Sequence, residues 1–374
     1  MCEVRLVDFL YICNMEKNNK ITFAEYVSPG HPDKVADIIS QYILDRYIEK
    51  DPNVRYAVEV MVKGNHVLLT GEVSSSCHFD DNEYRNFVRE AYEEIGYTHE
   101  YFLKWGKKNI IDPWDLNVEI YITAQSPEIS QGVNAGGWGD QGVFYGYADY
   151  GGDVYHMPKA HSYAKSLCHL LYNEAKNNDI GGLDIKTEIV IEGGEVTKVI
   201  AAVPCRNDIE KMSVYKNISA WCTLHEITGS KIILNGTGNY TSHGPVADSG
   251  VTGRKLAVDF YGGGYAIGGG AVIKDSTKAD VSLNLYARKM ALEYAAKYNA
   301  TSVIVSLACC IGSPVVDYCV EEVCGGVLES GKKSIMPAEL KSLLGLDKPI
   351  YTSMHMFGLF GEFQQDKAWE EIYL

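Results

Sequence analysis

Two glycine triplets, Gly262–Gly264 and Gly268–Gly270, lie between two cationic pairs, with Arg254 and Lys255 before them and Lys274 and Lys278 after them. Glycine lets backbone amides come close to a phosphate, and the cations supply charge-assisted donors, so residues 253–280 read as a cradle for a polyphosphate. The chain as a whole carries a net charge of −15, and the cluster runs against that background. It is not a mononucleotide P-loop, because Lys274 follows Ile273 and precedes Asp275. It is not a GxGxxG fingerprint either. The plain alternative is a glycine-rich turn between strands.

Other positions offer chemistry to such a site. The run Ser28–Lys34, SPGHPDK, sets Gly30, His31 and Asp33 at the start of a helix. Free amides and the helix dipole favour an anion there, and an aspartate two residues on could hold a divalent cation brought by a nucleotide. The competing reading is that His31 and Asp33 only cap the helix. Asp184 and Lys186 share the polar face of a strand, where a surface ion pair is the plain reading. Glu59 and Glu72 lie on the polar faces of a hairpin, where solvated carboxylates are expected. Asp140, within GGWGDQG, fits either a ligand-approaching loop or a tight turn.

The elements that position these residues can be read from periodicity. An amphipathic helix is predicted after Pro32, with Val35, Ile38, Ile39, Tyr42, Ile43 and Tyr47 at helical spacing, ending at Asp51-Pro52. Val54–Lys63 alternates as a strand, turns at Gly64-Asn65 and returns over His66–Val73. Further helices are predicted over 84–95, 161–175, 209–224, 282–298 and 337–344. Further strands are predicted over 118–123, 185–191, 196–203, 232–234, 303–307 and 315–322. Residues 125–142 read as a long loop. The pattern repeats loosely three times, with hairpins, which predicts an α+β fold of mixed, largely antiparallel sheets with helices on one face.

With 374 residues, two or three domains are expected. The acidic balance argues against sequence-independent nucleic-acid binding. No apolar run reaches the roughly 18–20 residues needed to cross a bilayer. Val4–Cys13 is apolar but carries Arg5 and Asp8 and lacks a small-residue cleavage site, so it does not read as a signal peptide. Residues 1–20 are expected to be a frayed, disordered extension, with Met15 an alternative start. Ten cysteines at scattered spacings, with no CxxC pair, predict reduced, mostly buried thiols in a cytosolic protein rather than a redox or zinc site. From the residues alone, a phosphotransferase and a non-catalytic nucleotide-binding protein are both open readings.

The motifs EYVSPGHPDK (Glu25–Lys34), TGE (Thr70–Glu72), QSPEISQGV (Gln125–Val133), GDQG (Gly139–Gly142) and DIKTEI (Asp184–Ile189) are followed by the stretch from Asn235 through DSGVTGRK to Asp259, and then by GGGA and KDSTKAD. In this order, from about Phe23 to Trp369, they resemble the S-adenosylmethionine synthetases, or methionine adenosyltransferases. The resemblance implies three similar α+β domains in a pseudo-threefold arrangement, with an N-terminal block 21–124, a lid loop 125–135, a central block 136–232 and a C-terminal block 233–374 that interleave. It implies attack of the methionine sulfur on C5′ of ATP, with the triphosphate expelled whole and then split to pyrophosphate and phosphate. Sulfur needs no general base, so the lack of a nucleophile–base pair is expected.

By the same resemblance His31, Lys186, Arg254 and Lys274 are the catalytic positions. The ATP positions are His31, Asp184, Ile185, Lys186, Asn239, Tyr240, Asp248, Arg254, Lys255, Ala271 and Lys274, with Tyr240 able to stack on adenine. The methionine positions are Glu72, Gln125, Asp248 and Lys278. Asp33 and Asp280 would bind magnesium, two ions per site, and Glu59 would bind potassium. The resemblance also implies an active site shared between two subunits of a homodimer or homotetramer, a cytoplasmic location, and no nucleic-acid or membrane partner. Four departures stand out: Gly238-Asn239-Tyr240 where the family has Gly-Arg-Phe, a one-residue shortening before Lys274, Asn134 in place of an acid within a shortened lid, and Val281 in place of an arginine.

Overall fold

The computed structural model describes residues 20–124 and 136–372; the expected lid loop, with Gln125 and Asn134, and residues 1–19 of the expected extension lie outside them. Among the described residues, twelve strands form three four-stranded sheets. The first runs β1 (Ile21–Val27), β6 (Lys186–Glu192), β7 (Glu195–Ala202), β8 (Lys231–Leu234). The second runs β4 (Asn117–Thr123), β3 (His66–Ser74), β2 (Arg55–Lys63), β9 (Gly250–Val251). The third runs β12 (Gly326–Ser334), β11 (Val315–Glu322), β10 (Ser302–Cys309), β5 (Gly142–Asp149).

The first two sheets share a plan. Each has a central antiparallel hairpin, β6/β7 or β2/β3, with β8 or β4 parallel to its second strand and β1 or β9 antiparallel to its first. The third sheet is antiparallel throughout. The fold is thus α+β, mixed and largely antiparallel. Strand pairing crosses the blocks of chain: β1, near the N-terminus, pairs with β6, and β5 pairs with β10.

The helices are α1 (Pro32–Ile48), α2 (Asp81–Ile95), α3 (His99–Trp105), α4 (Lys159–Asn178), α5 (Asp208–Leu224), α6 (Gly244–Ala247), α7 (Leu256–Asp259), α8 (Ala279–Tyr298), α9 (Pro337–Leu343) and α10 (Tyr351–Met356). One long helix lies on each sheet: α4 on the first, α1 on the second and α8 on the third. Local rules explain their ends. Asp80 and Glu83 form a capping box that starts α2, and Gly96, at φ 111°, stops it.

Helix α1 departs from the amphipathic expectation, because it is buried nearly all round. Its polar side chains find partners inside the molecule. Ser40 donates to the Val58 carbonyl at 2.7 Å, and Asp45 accepts from the Tyr351 and Thr352 amides at 3.0 and 2.8 Å, capping α10. The thiols also differ from expectation. Of the eight described cysteines, all free, Cys168, Cys205 and Cys222 are buried, while Cys310 and Cys324 are exposed. No helix is long and apolar enough to cross a membrane among the described residues.

Candidate active site

Strand β2 is the foundation. Tyr56, Val58, Val60 and Val62 point into the core, and the alternate positions carry Glu59 and Lys63. One edge pairs with β3; the other holds both flanks of the glycine segment. Thr252 donates its amide to Val60 O at 3.0 Å, and Asp275 donates to Tyr56 O at 3.0 Å, with Asp275 Oδ2 accepting from Tyr56 N at 2.8 Å. The segment between them is therefore a loop anchored at both ends.

Close backbone approaches bring the motifs together. A Cβ on Gly250 would lie 1.9 Å from the Pro32 carbonyl oxygen, and one on Gly30 would lie 2.3 Å from the Leu183 carbonyl oxygen. Only glycine allows the two contacts that seat SPGHPDK between DSGVTGRK and DIKTEI. Within the triplets, Gly268 abuts Asn284 and Gly270 abuts Asp280, whereas Gly263, Gly264 and Gly269 face open space. Part of the glycine content thus serves the packing of α8.

His31 is the N-cap of α1, and its Nδ1 accepts from the Asp33 amide at 3.2 Å. Capping is therefore real, and it also sets the tautomer. With Nδ1 accepting, Nε2 carries the proton. Burial, then the nearby Lys255, pulls the imidazole down to about 4 against the opposing charge of Asp33, so His31 is a neutral donor at pH 7.

Asp33 does not cap. Its Oδ1 accepts from the Val251 amide at 2.9 Å, its Oδ2 pairs with Lys255 Nζ, and Arg254 Nε lies 3.9 Å from Oδ1. Burial opposes its ionisation, but the Lys255 hydrogen bond and the Val251 amide outweigh it and hold the carboxyl below its usual range.

The expected surface pair of Asp184 with Lys186 is not formed. Asp184 is 6 % exposed, accepts from the Gly244 amide at 2.8 Å, and is pushed up to about 6 by burial. Lys186, 46 % exposed, pairs instead with Glu25 on β1. The reason is direction: Asp184 precedes β6 and turns inward to hold the 240–244 loop. Tyr240 donates its hydroxyl to the Asp184 carbonyl at 3.1 Å; the Ile185 amide donates to the Ser28 hydroxyl at 2.8 Å, and the Ile185 carbonyl accepts from the Ser28 amide at 3.0 Å. Asp248, exposed, and Lys186 both act on His31 by charge. Asn239 is exposed beside Tyr240, and Ala271 packs against Gly253.

A second group forms around α8. Lys274 Nζ pairs with Asp280 Oδ2 at 2.8 Å, and Lys278 is the N-cap residue of the helix. Lys274 bridges Ala57, whose other neighbour is Glu72. Glu72, Glu59 and Lys274 thus share the face of the second sheet opposite its core. Glu59 is not merely solvated, because it accepts from the Thr252 hydroxyl. Among the described residues no hydrogen bond or ion pair joins Lys274, Lys278 or Asp280 to the group around His31. Asp140 accepts from the next residue's amide at 2.8 Å, and Val281 is fully buried in the core.

The residues not anticipated lie beneath the site. Lys34 sits 2.8 Å from both oxygens of Asp259 and 3.3 Å from Asp37 Oδ2, all three buried. Asp37 Oδ1 accepts from the Gly253 amide at 2.9 Å. Asp33 and Asp37, one helical turn apart, thereby hold residues 251 and 253 and present Arg254 and Lys255. Burial would lower the Lys34 ammonium, but Asp259 and Asp37 together hold it above its usual value. Burial pushes Asp37 up to about 6 in spite of Lys34. These two directions oppose each other across one pair, and the bidentate contact to Asp259 decides for a charged lysine. The i, i+4 spacing of Asp33 and Asp37 was the available signal; Asp259, distant in the chain, gave none.

The family model described as "S-adenosylmethionine synthetase, N-terminal domain" matches residues 19–127, and that of the C-terminal domain matches residues 242–371. The chain is 32% identical to the S-adenosylmethionine synthase of Staphylococcus epidermidis, over 96% of this chain and 97% of that one. It is 33% identical to the synthase of Zymomonas mobilis, over 96% and 97%. Among solved structures, an unusual S-adenosylmethionine synthetase from Campylobacter jejuni superposes with a TM-score of 0.85 at 32% identity, covering 94% of this chain and 97% of that one.

Proposed function

Because the chain belongs to the S-adenosylmethionine synthetase family, and so makes S-adenosylmethionine from ATP and L-methionine, we propose that the residues around His31 and Asp33 form the face that receives ATP. The observation that carries this is the contact of Asp33 with Lys255 and the Val251 amide, which joins two motifs 222 residues apart. In the transition state the triphosphate gathers charge as the C5′–O bond breaks and the sulfur–carbon bond forms. Arg254, Lys255, Lys186 and Lys274 supply cations set in place beforehand. His31, neutral with Nε2 protonated, donates a hydrogen bond to the departing 5′ oxygen. Asp184, Ile185, Asn239, Tyr240 and Ala271 line the nucleoside side. Glu72, Gln125, Asp248 and Lys278 receive methionine.

The donor set suits hard cations: Asp33 and Asp280 offer carboxylate oxygens for two magnesium ions, and Glu59 with the Thr252 hydroxyl offers oxygens for potassium. Magnesium, when bound, neutralises the expelled triphosphate. Lys255 pairs with Asp33 and Lys274 with Asp280, so each of these lysines lies beside a carboxylate that would hold a metal. Among the described residues no bond joins the His31 group to the Asp280 group, and a site completed by a second copy, in a homodimer or homotetramer, fits that division. Free thiols, two of them exposed, favour a cytoplasmic setting.

The test is product identity. Protein with ATP, methionine, Mg²⁺ and K⁺ is expected to yield S-adenosylmethionine, pyrophosphate and phosphate by mass spectrometry. ADP as the nucleotide product would support a phosphotransferase instead, and binding of ATP without turnover would support a non-catalytic role.

A further inference from the structure

Three aromatic residues and a buried histidine lie behind the nucleoside side of the site. Tyr97, Tyr101 and Trp105, at four-residue spacing, face His243, with ring centroids 6.3, 5.8 and 4.6 Å from its imidazole. His243 is fully buried and precedes Gly244, whose amide Asp184 holds.

The hydrogen bonds here have only one possible sense. The Thr241 carbonyl can only accept, so His243 Nδ1, 2.7 Å away, carries the ring proton. Nε2 is then a bare acceptor and takes the Tyr101 hydroxyl proton at 2.6 Å. That leaves the Tyr101 oxygen to accept from the Leu183 amide at 3.0 Å. The chain of donors thus runs Leu183 to Tyr101 to His243 to Thr241. It links the strand entry that carries Asp184, Ile185 and Lys186 to the loop that carries Asn239 and Tyr240. Tyr97 extends the support by donating to the Gly30 carbonyl at 2.6 Å, next to His31.

We propose that Tyr101 and His243 are a positioning pair that fixes the spacing between these two loops and so preforms the ATP site. The inference rests on the reading of Asp184, Ile185 and Tyr240 as ATP positions. Burial holds the His243 imidazole down to about 4, so the relay keeps its sense at any working pH. Two further bonds, from the Gly244 amide to Asp184 and from Tyr240 to the Asp184 carbonyl, span the same gap. Without the Tyr101 hydroxyl they leave the Leu183 amide and His243 Nε2 without partners, and burial makes that loss costly.

Tyr101→Phe removes one oxygen and keeps the ring. It is expected to raise KM for ATP about tenfold while moving KM for methionine less than about twofold, since only the nucleoside loops lose their spacing. His243→Ala should act in the same way. His243→Gln, whose amide can donate to Thr241 and accept from Tyr101, should return KM for ATP to within about threefold of the parent. A lowered melting temperature with KM for ATP unchanged would show a purely structural pair and overturn the proposal. Equal rises in both KM values, or no rescue by His243→Gln, would overturn it as well. Tyr240→Ala separates the underlying reading. If it leaves KM for ATP unchanged, Tyr240 is not an ATP contact and that reading fails; if it raises KM for ATP while Tyr101→Phe does not, only the positioning pair fails.

Discussion

Lys186→Met is expected to lower kcat by at least about 100-fold while leaving the Kd for ATP within about threefold, because a cation aimed at a leaving group acts chiefly when charge develops on it. The geometry favours a clean result. Lys186 is the first residue of β6, nearly half exposed, and among the described residues its one ion pair is with Glu25 on the neighbouring strand. An exposed pair of this kind contributes about 0–1 kcal/mol to stability, so the melting temperature should hardly move. ATP would draw Lys186 away from Glu25, a cheap exchange of one anion for another. Single-turnover kinetics and equilibrium binding of ATP check the split. An unchanged kcat would mean that Arg254, Lys255 and Lys274 suffice, and that Lys186 belongs to the surface.

The second large effect is on folding. Lys34→Met is expected to cost about 3–5 kcal/mol at pH 7, because it leaves two buried carboxylates without their shared cation. Asp37, Asp259 and His355 place their ligand atoms within 4.8 Å of one another, all buried, and Lys34 is the charge that lets the two acids coexist. The pH dependence has a definite sign. Burial already raises Asp37 to about 6 with Lys34 present, and raises Asp259 too; without the lysine both rise further. A carboxyl with a raised folded-state pKa contributes stability that is complete below its unfolded value, near 4, and is lost as pH rises through the folded value. The variant should therefore approach the parent as pH falls from 7 to 5. Denaturant unfolding at the two pH values measures this. A loss below about 1 kcal/mol at pH 7, or an equal deficit at both pH values, would contradict the charge argument.

Periodicity found the elements that obey one rule at a time. The β2/β3 hairpin alternates cleanly, and α2 shows a capped apolar stripe. It did not find β1, β5 or β12. In β12 most side chains are exposed, so no apolar alternation marks it, and β5 begins at the glycine that closes the loop composition. Helix α1 was found but misread, since its polar residues are satisfied by partners far along the chain rather than by water. The same cause hid the roles of Lys34, Asp37 and Asp259. Asp184 was misplaced because alternation along a strand was extended two residues ahead of its start at Lys186, where the backbone turns. His31 is the reverse case: capping and chemistry, taken as rivals, are compatible, because the Nδ1 that accepts from the Asp33 amide leaves Nε2 as a donor. The cationic and acidic candidate positions stood out in the sequence because their types and spacing carry the resemblance. Their division into two unbonded groups was not, because it depends on tertiary contacts alone.

The bond from Lys34 to Asp259 has a consequence in time. The two residues are 225 positions apart, and at synthesis rates of about 5–20 residues per second the helix leaves the ribosome roughly 10–45 s before its counter-charge. Over that interval Lys34 and Asp37 lack the Asp259 that completes their buried cluster. Lys34 and Asp37 therefore reach their native partner only after residue 259 is made, and the binding surface they support is completed late.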